Sequence, residues 1–340
     1  ASAETTDESD VDDADADDAD ADSDDTPDDN DTPDDEASDE TDGDASSSSE
    51  PDDSSDVEAS TRTVEHALGT SEVPVDPQRI VVLDSIGTLD SVVALGAEDR
   101  LAGRINLSGG DDPSWLDIDV ESIPLLGTFP NMSIEEILTV DPDVVIGYQN
   151  AAELLGPTGD RVPVVAVAPT AGVTNPRWQD VLLGVGDTLG LTADAEAFIA
   201  DYDARVDQVV ASLPDGFAGR DVLVLLGQLG MTGFAMGPTA TPAEIFERVG
   251  LQVSSSLDGQ GDFVQLVDEL VPDLPADVVL MFDFDAGTTD WNSVLAEMPA
   301  YAANPAIAGG VTVVDGSLWL NAGPLGQLQL LEEIVEVLAP

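Results

Sequence analysis

Between Asp283 and Asp290 the chain reads DFDAGTTD, a density of carboxylate and hydroxyl oxygens that suits a hard cation such as calcium. The stretch lacks the twelve-residue spacing and terminal Glu of a calcium loop, and acids are the background composition here, so calcium is not expected. GVGDTLG (Gly184–Gly190) contains a Gly-x-Gly pair, but inside a helical tract rather than after a strand, where a dinucleotide loop belongs. The one histidine, His66, lies in an N-terminal segment far from any nucleophile pattern, so Ser-His pairs and multi-histidine zinc sites have nothing to stand on. The absence of lysine excludes a GxxxxGK phosphate loop, and the absence of cysteine excludes disulfides and thiolate metal sites. Neither an enzyme nor a resident metal or cofactor is expected.

What the residues do offer is a set of binding side chains in loops that follow apolar runs. Arg104 and Asn106 lie in GRINLSGG, Phe129 in GTFPN, Tyr148 in GYQN, Gln228 in GQLGMTG, Phe284 in FDFDAG, and Trp319 and Asn321 in SLWLNAG. Aromatics, amides and a lone Arg suit a pocket for a bulky, partly apolar ligand. Each has a second reading: Arg104 could equally pair with one of the many carboxylates, and Trp319 and Phe284 could equally serve packing. Trp178 is expected in the core.

The elements that would position these loops alternate short apolar runs with amphipathic stretches, the order of parallel strands and crossover helices. RIVVLD reads as a buried strand and SIGTLDSVVALG as a helix, with Ser85 as candidate N-cap and Gly96 as stop. LAGRI, DVVIGY and PVVAVAP read as strands, and SIEEILTV as a helix capped by Ser133. A helical tract follows in which Ala195, Phe198, Ile199, Tyr202, Val206, Val209 and Val210 share one face, long enough to span two lobes. DVLVLLG, GFAMG, PAEIFERVG, VQLVDEL, DVVLMFDF, GVTVVDG and a helix from Pro324 make a second series. SIEEILTVDPDVVIG and VQLVDELVPDLPADVVLM look like one helix-break-strand unit occurring once per lobe. The expected fold is therefore α/β, two lobes with largely parallel sheets flanked by helices, joined by one long rigid helix. The boundaries fall at 1–60 for an acidic tether, 61–176 and 214–340 for the lobes, and 177–213 for the connection. In open parallel sheets ligands bind beyond the carboxyl ends of the strands, which between two lobes means the facing cleft.

Charge separates the tether from the rest. The first sixty residues hold 28 of the 71 acids and no base, with almost no large apolar residue, so they cannot bury enough surface to offset the entropy of ordering. All nine basic residues are Arg. A folded domain this acidic is strained by self-repulsion in dilute buffer, but at molar salt the Debye length falls to ~3 Å, so adaptation to salt is expected and a nucleic-acid partner is not. No apolar run approaches the ~20 residues of a membrane-spanning helix. A start at Ala-Ser-Ala fits a trimmed export product held at an outer membrane face through an anchor upstream.

Four stretches, in this order and spacing, resemble the substrate-binding proteins of ABC importers for ferric siderophores and cobalamin: TRTVEHALGTSEVPVDPQRIVVLD, LGTFPNMSIEEILTVDPDVVIG, FAMGPTATPAEIFERVGLQ and VVDGSLWLNAGPLGQLQLLEEI. The first is most similar to the ferric-siderophore branch. The resemblance implies a monomer outside the cytoplasm that captures a ferric siderophore between its lobes and delivers it to the importer's permease, without chemistry of its own. Cobalamin or heme is the alternative cargo, and an enzyme or cofactor scaffold sharing only the fold the alternative class. It also implies that one Glu per lobe docks the permease, at Glu135 and Glu269, and that basic and aromatic cleft residues hold the chelate. Only Arg104 and Arg177 match as basic candidates, so a neutral or weakly charged hydroxamate chelate is easier to accommodate than an anionic tris-catecholate.

Overall fold

The computed structural model describes residues 60–338 apart from 85, 108–112, 157–160, 170–175, 228–232 and 286. The acidic stretch 1–59 and Gln228 therefore lie outside the described residues. The described chain opens with a hairpin absent from the sequence reading: β1 (Thr61–His66) and β2 (Gly69–Pro74) pair antiparallel from Thr61↔Pro74 to His66↔Gly69. His66 lies on this ribbon with its Nε2 3.0 Å from Ser71 Oγ.

The first sheet comprises β3 (Ile80–Val82), β4 (Leu101–Leu107), β5 (Leu125–Phe129), β6 (Asn131–Met132), β7 (Val144–Gly147) and β8 (Val164–Ala166). Their spatial order is β6-β5-β4-β3-β7-β8, parallel except for the β5–β6 edge. Side chains alternate across a strand, so Ile80 and Val82 enter one apolar cluster with Leu89, Val181 and Val185, while Val81 and Leu83 enter another with Ile105 and Ile137. Burial on both faces explains why β3 and β7 read as unbroken apolar runs. Helices α1 (Gly87–Ala94), α2 (Ile134–Leu138) and α3 (Gln149–Leu155) belong to this half.

The connection is two helices, α4 (Trp178–Leu189) and α5 (Thr192–Ser212). Gly190 ends α4 in the left-handed conformation at φ 75°, where glycine carries no side-chain penalty. The 21 residues of α5 rise ~30 Å. Its first turn presses Ala195 against Gly186 of α4, while Tyr202, Val206 and Val209 are buried in the core of the second half.

That half carries β9 (Asp221–Gly227), β10 (Phe234–Met236), β11 (Gln252–Val253), β12 (Phe263–Gln265), β13 (Val278–Asp283) and β14 (Thr312–Asp315), ordered β12-β10-β9-β13-β14 with β11 beside β9. It is parallel apart from β10, which runs antiparallel to both neighbours. Helices α6 (Glu244–Arg248), α7 (Trp291–Glu297), α8 (Pro299–Ala302), α9 (Pro305–Ala308), α10 (Gly316–Asn321) and α11 (Pro324–Leu338) complete it. One apolar cluster covers each face of this sheet too. The fold is thus α/β with two largely parallel, helix-flanked sheets.

The repeated unit survives in part. Asp143, just before β7, accepts hydrogen bonds from Gln78 N and Arg79 N, and its own N–H donates to Arg79 O at 2.8 Å. Asp277, just before β13, accepts from Asp221 N, and its N–H donates to Asp221 O, also at 2.8 Å. The helical part is not repeated: α2 forms, whereas Val264 and Gln265 of VQLVDEL are in β12, paired with Ala235 and Phe234. Only the 3-10 turn Val271–Asp273 follows, so the helix expected there is corrected to a strand and a turn.

Candidate cleft between the two sheets

The carboxyl ends of β3, β5 and β7 open onto a cavity with about 1090 Å³ of empty space, including its open mouth. The first half contributes Leu83, Asp84, Ile86, Gly87, Phe129 and Tyr148. Trp178, Gln179 and Tyr202 come from the connecting helices. From the second half come Thr241, Glu244, Arg248 and Leu320–Gly323, the end of α10 and the two residues after it.

Two glycines permit close approaches near this site. A Cβ on Gly87 would stand 1.8 Å from the Tyr148 hydroxyl, so only glycine leaves that tyrosine its place. A Cβ on Gly323 would stand 2.6 Å from Asp90 Cβ, which lets the start of α11 settle onto α1. Trp178 and Tyr202 meet edge to face with centroids 4.8 Å apart, forming an aromatic wall. Burial, then the charges of Asp84 and Asp90, hold the Tyr148 hydroxyl well above its usual range, so it is a neutral donor.

Asp84 ends the strand run Ile80-Val-Val-Leu-Asp and turns the chain into α1. Its Oδ1 accepts from Ile86 N (3.1 Å) and Thr88 N (3.0 Å), and its Oδ2 from the Thr88 hydroxyl. This carboxylate therefore fills the capping role expected of Ser85, which lies outside the described residues. Asp283 repeats the device after β13, accepting from Asp285 N (3.0 Å) and Gly287 N (2.7 Å). Its Oδ1 also receives the indole N–H of Trp291 at 2.7 Å. The oxygens of DFDAGTTD are thus spent on the turn itself, and among the described residues no group of three His, Asp or Glu could hold a metal ion.

Asp90 on α1 binds the two halves together behind the cavity. It accepts from Leu325 N (2.8 Å) and Gly326 N (3.1 Å) in the first turn of α11, and from Trp115 Nε1 (2.7 Å). A carboxylate at a helix N-terminus meets unpaired N–H groups and the positive end of the dipole. Complete burial nevertheless pushes its carboxyl up to about 7, against the opposing pull of the three donors.

Of the side chains read from the sequence, the structure brings Phe129, Tyr148 and Asn321 together in the cavity lining. Arg177 is at the rim, 55% exposed, 3.4 Å from Glu244, which does line the cavity. Arg104 does not line it: β4 continues to Leu107, so Arg104 is a mid-strand residue, 4% exposed, donating Nε to Val120 O. Asn106 lies on the same strand, opposite Thr128 of β5, and is also outside the lining. Phe284 packs over Gly316 instead. Trp319 is 0% exposed in the core, 5.9 Å from Phe246 and 6.0 Å from Phe282, and donates its indole N–H to Glu333. It is therefore corrected from cleft residue to core residue.

The sequence reading missed Asp84, Gln179, Tyr202, Glu244 and Arg248, and it assigned Trp178 to the core. A local signal existed for two of these, since Glu244 and Arg248 are one turn apart and share a face of α6. Glu135 and Glu269 are both exposed. Ser133 makes no cap bond to the backbone of α2; its hydroxyl donates to Glu135 at 2.8 Å, the main cause of that carboxyl's lowered pKa. Glu269 sits on a turn rather than on a helix.

Two layered α/β halves facing each other across such a cavity define a solute-binding protein, and residues 80–316 match the family described as Periplasmic binding protein; the chain belongs to it. Among its relatives is a protein of Bacillus subtilis (strain 168) called the probable siderophore-binding lipoprotein YfiY, 26% identical over 81% of this chain and 87% of that one. The crystal structure of Staphylococcus aureus SirA complexed with staphyloferrin B shares the fold at 22% identity and a TM-score of 0.65, covering 82% of this chain and 98% of that one. The periplasmic heme-binding protein HutB of Vibrio cholerae shares it at 20% identity and a TM-score of 0.61, over 77% and 99%.

Proposed function

We propose that this chain is an extracytoplasmic solute-binding protein that holds a ferric siderophore in the cleft and presents it to the permease of an ABC importer, with no catalysis of its own. The observation that carries this reading is the aromatic-walled cavity at the strand ends, in a chain of the binding-protein family whose relatives include a siderophore-binding lipoprotein. A bulky chelate with apolar edges suits stacking against Trp178, Tyr202 and Phe129 while the amides Asn150, Gln179 and Asn321 orient it.

Trp178 provides the test. Titrating the full chain in molar salt with a ferric hydroxamate, a ferric catecholate, cobalamin and heme should give saturable, submicromolar quenching by a ferric chelate. Trp178→Phe should remove most of that signal, since of the four tryptophans Trp178 lines the cavity, whereas Trp291 and Trp319 are sealed in the core and Trp115 is held on Asp90 outside the lining. Quenching only by cobalamin or heme would replace the cargo, and no response from a folded protein would end the proposal.

Delivery is read at Glu135 and Glu269, the two acids assigned to permease docking by resemblance, and both are exposed. Reversing both charges should leave chelate affinity unchanged and stop uptake by cells carrying the importer. Normal uptake by the double variant would remove these residues from docking.

A further inference from the structure

Every cation of this chain can be accounted for. It has nine arginines and no lysine, and all nine fall among the described residues. Only Arg248 lines the cavity, and Arg177 stands at its rim. Arg248 already donates to Asp203 at 2.8 Å and lies 5.6 Å from the centroid of the Tyr202 ring, and Arg177 is paired with Glu244. The seven others do not line the cavity: Arg62, Arg100 and Arg205 pair with Asp187, Asp76 and Glu332, Arg79 and Arg220 donate to backbone carbonyls, Arg104 is buried in β4, and Arg161 precedes β8.

The acceptors are in the opposite condition. Asp84 lines the cavity at 4% exposure and takes part in none of the ion pairs among the described residues. Gln179 lines it at 9% exposure with Oε1 lacking any hydrogen-bond partner. The donors on Asp84 (Ile86 N, Thr88 N and the Thr88 hydroxyl) are all neutral, so this buried carboxylate still calls for positive charge, and the buried amide oxygen of Gln179 calls for a donor. A trianionic ferric tris-catecholate would bring three further negative charges to a site whose two nearby cations are already neutralised.

On the siderophore reading above, we infer that the cleft takes a ferric chelate of zero or positive net charge, with Asp84 selecting for a protonated amine on the ligand and Gln179 accepting one of its N–H groups. Burial raises the pKa of Asp84, and an ammonium beside it would offset that cost. The aromatic wall adds cation–π attraction for the same group.

The full chain, at one fixed ionic strength, is titrated with three probes: the ferric complex of a linear trihydroxamate bearing a free amine, the same complex with that amine acetylated, and a ferric tris-catecholate. The amine-bearing complex should bind about tenfold tighter than its acetylated form, as a charge-assisted hydrogen bond warrants, and the catecholate weakest of all. Asp84→Asn keeps an oxygen for the N–H groups of Ile86 and Thr88 and should erase the difference between the first two. Glu244→Gln removes a lining carboxylate, frees Arg177, and should strengthen catecholate binding. Catecholate affinity equal to that of the hydroxamates, or indifference of the wild type to acetylation, overturns the inference while leaving a siderophore-binding protein. Failure of all three to bind a folded chain overturns the siderophore reading instead.

Discussion

Trp319→Ala should lower the stability of the folded chain by about 3–5 kcal/mol, a large share of the ~5–15 kcal/mol that holds a typical domain together. The side chain is 0% exposed and wedged between Phe246 of α6 and Phe282 of β13, so its removal leaves a void that those two elements must each move to fill. It also strips Glu333 of an indole donor, though Gln329 still donates to that carboxylate at 2.8 Å. Trp319→Phe should fall between the two, since it keeps most of the volume and loses the hydrogen bond. Urea unfolding midpoints measure the effect directly. A normal midpoint combined with lost chelate binding would return Trp319 to the cleft.

Asp90→Ala should be nearly as damaging, for a reason of polarity rather than volume. Leu325 N, Gly326 N and Trp115 Nε1 would be left as buried donors without acceptors, each at ~1–3 kcal/mol, partly offset by the removal of a desolvated charge. The offset gives the site a pH signature. The carboxyl stands at about 7 in the folded chain against an ordinary 3.8, so between those values the folded chain holds a proton that the unfolded chain has released. Stability from this group is therefore full below about 4 and is lost as pH rises through 7, an interval worth roughly 4 kcal/mol. Acidification also relieves general repulsion among the other acids, and burial raises the pKa of Asp84 in the same direction, so the comparison must be differential. Urea midpoints of the wild type and of Asp90→Asn at pH 5 and pH 8 should show the wild type gaining more on acidification. Parallel pH profiles for the two proteins would sink the assignment.

How far such residues could be read from the sequence depends on whether their placement is local. The strand and helix order was legible because burial on both faces makes β3, β7, β9 and β13 continuous apolar runs, and the position of the cleft followed from where parallel strands end. The individual cleft residues were not, because each depends on where an element stops. GRINL continues as a strand, which keeps Arg104 inside the sheet. SLWLNAG is a helix rather than a loop, started by Asp315, whose carboxylate accepts from Ser317 N and Leu318 N. That Asp-Gly-Ser start was a visible capping signal, and it would have turned Trp319 inward. VQLVDEL carries a helix-compatible pattern, but pairing with β10 overrides it. Tyr202 faces the cleft because α5 packs beside α6, where Arg248 lies 5.6 Å from its ring centroid, a long-range fact with no local trace at Tyr202 itself.

The attachment of α11 to α1 through Asp90 also bears on time rather than energy. The halves are joined once by the continuous rod of α5 and a second time by this buried tie, which sits against the Ala322–Gly323 side of the cavity. Two fixed points leave one free rotation, a shallow rocking about the line between them, whereas a wide swing would have to rupture both buried hydrogen bonds from α11 to Asp90 at once. Ligand should then enter and leave through a mouth that is always partly open, and the dwell time of the cargo would be governed by its grip on the lining rather than by a closing gate.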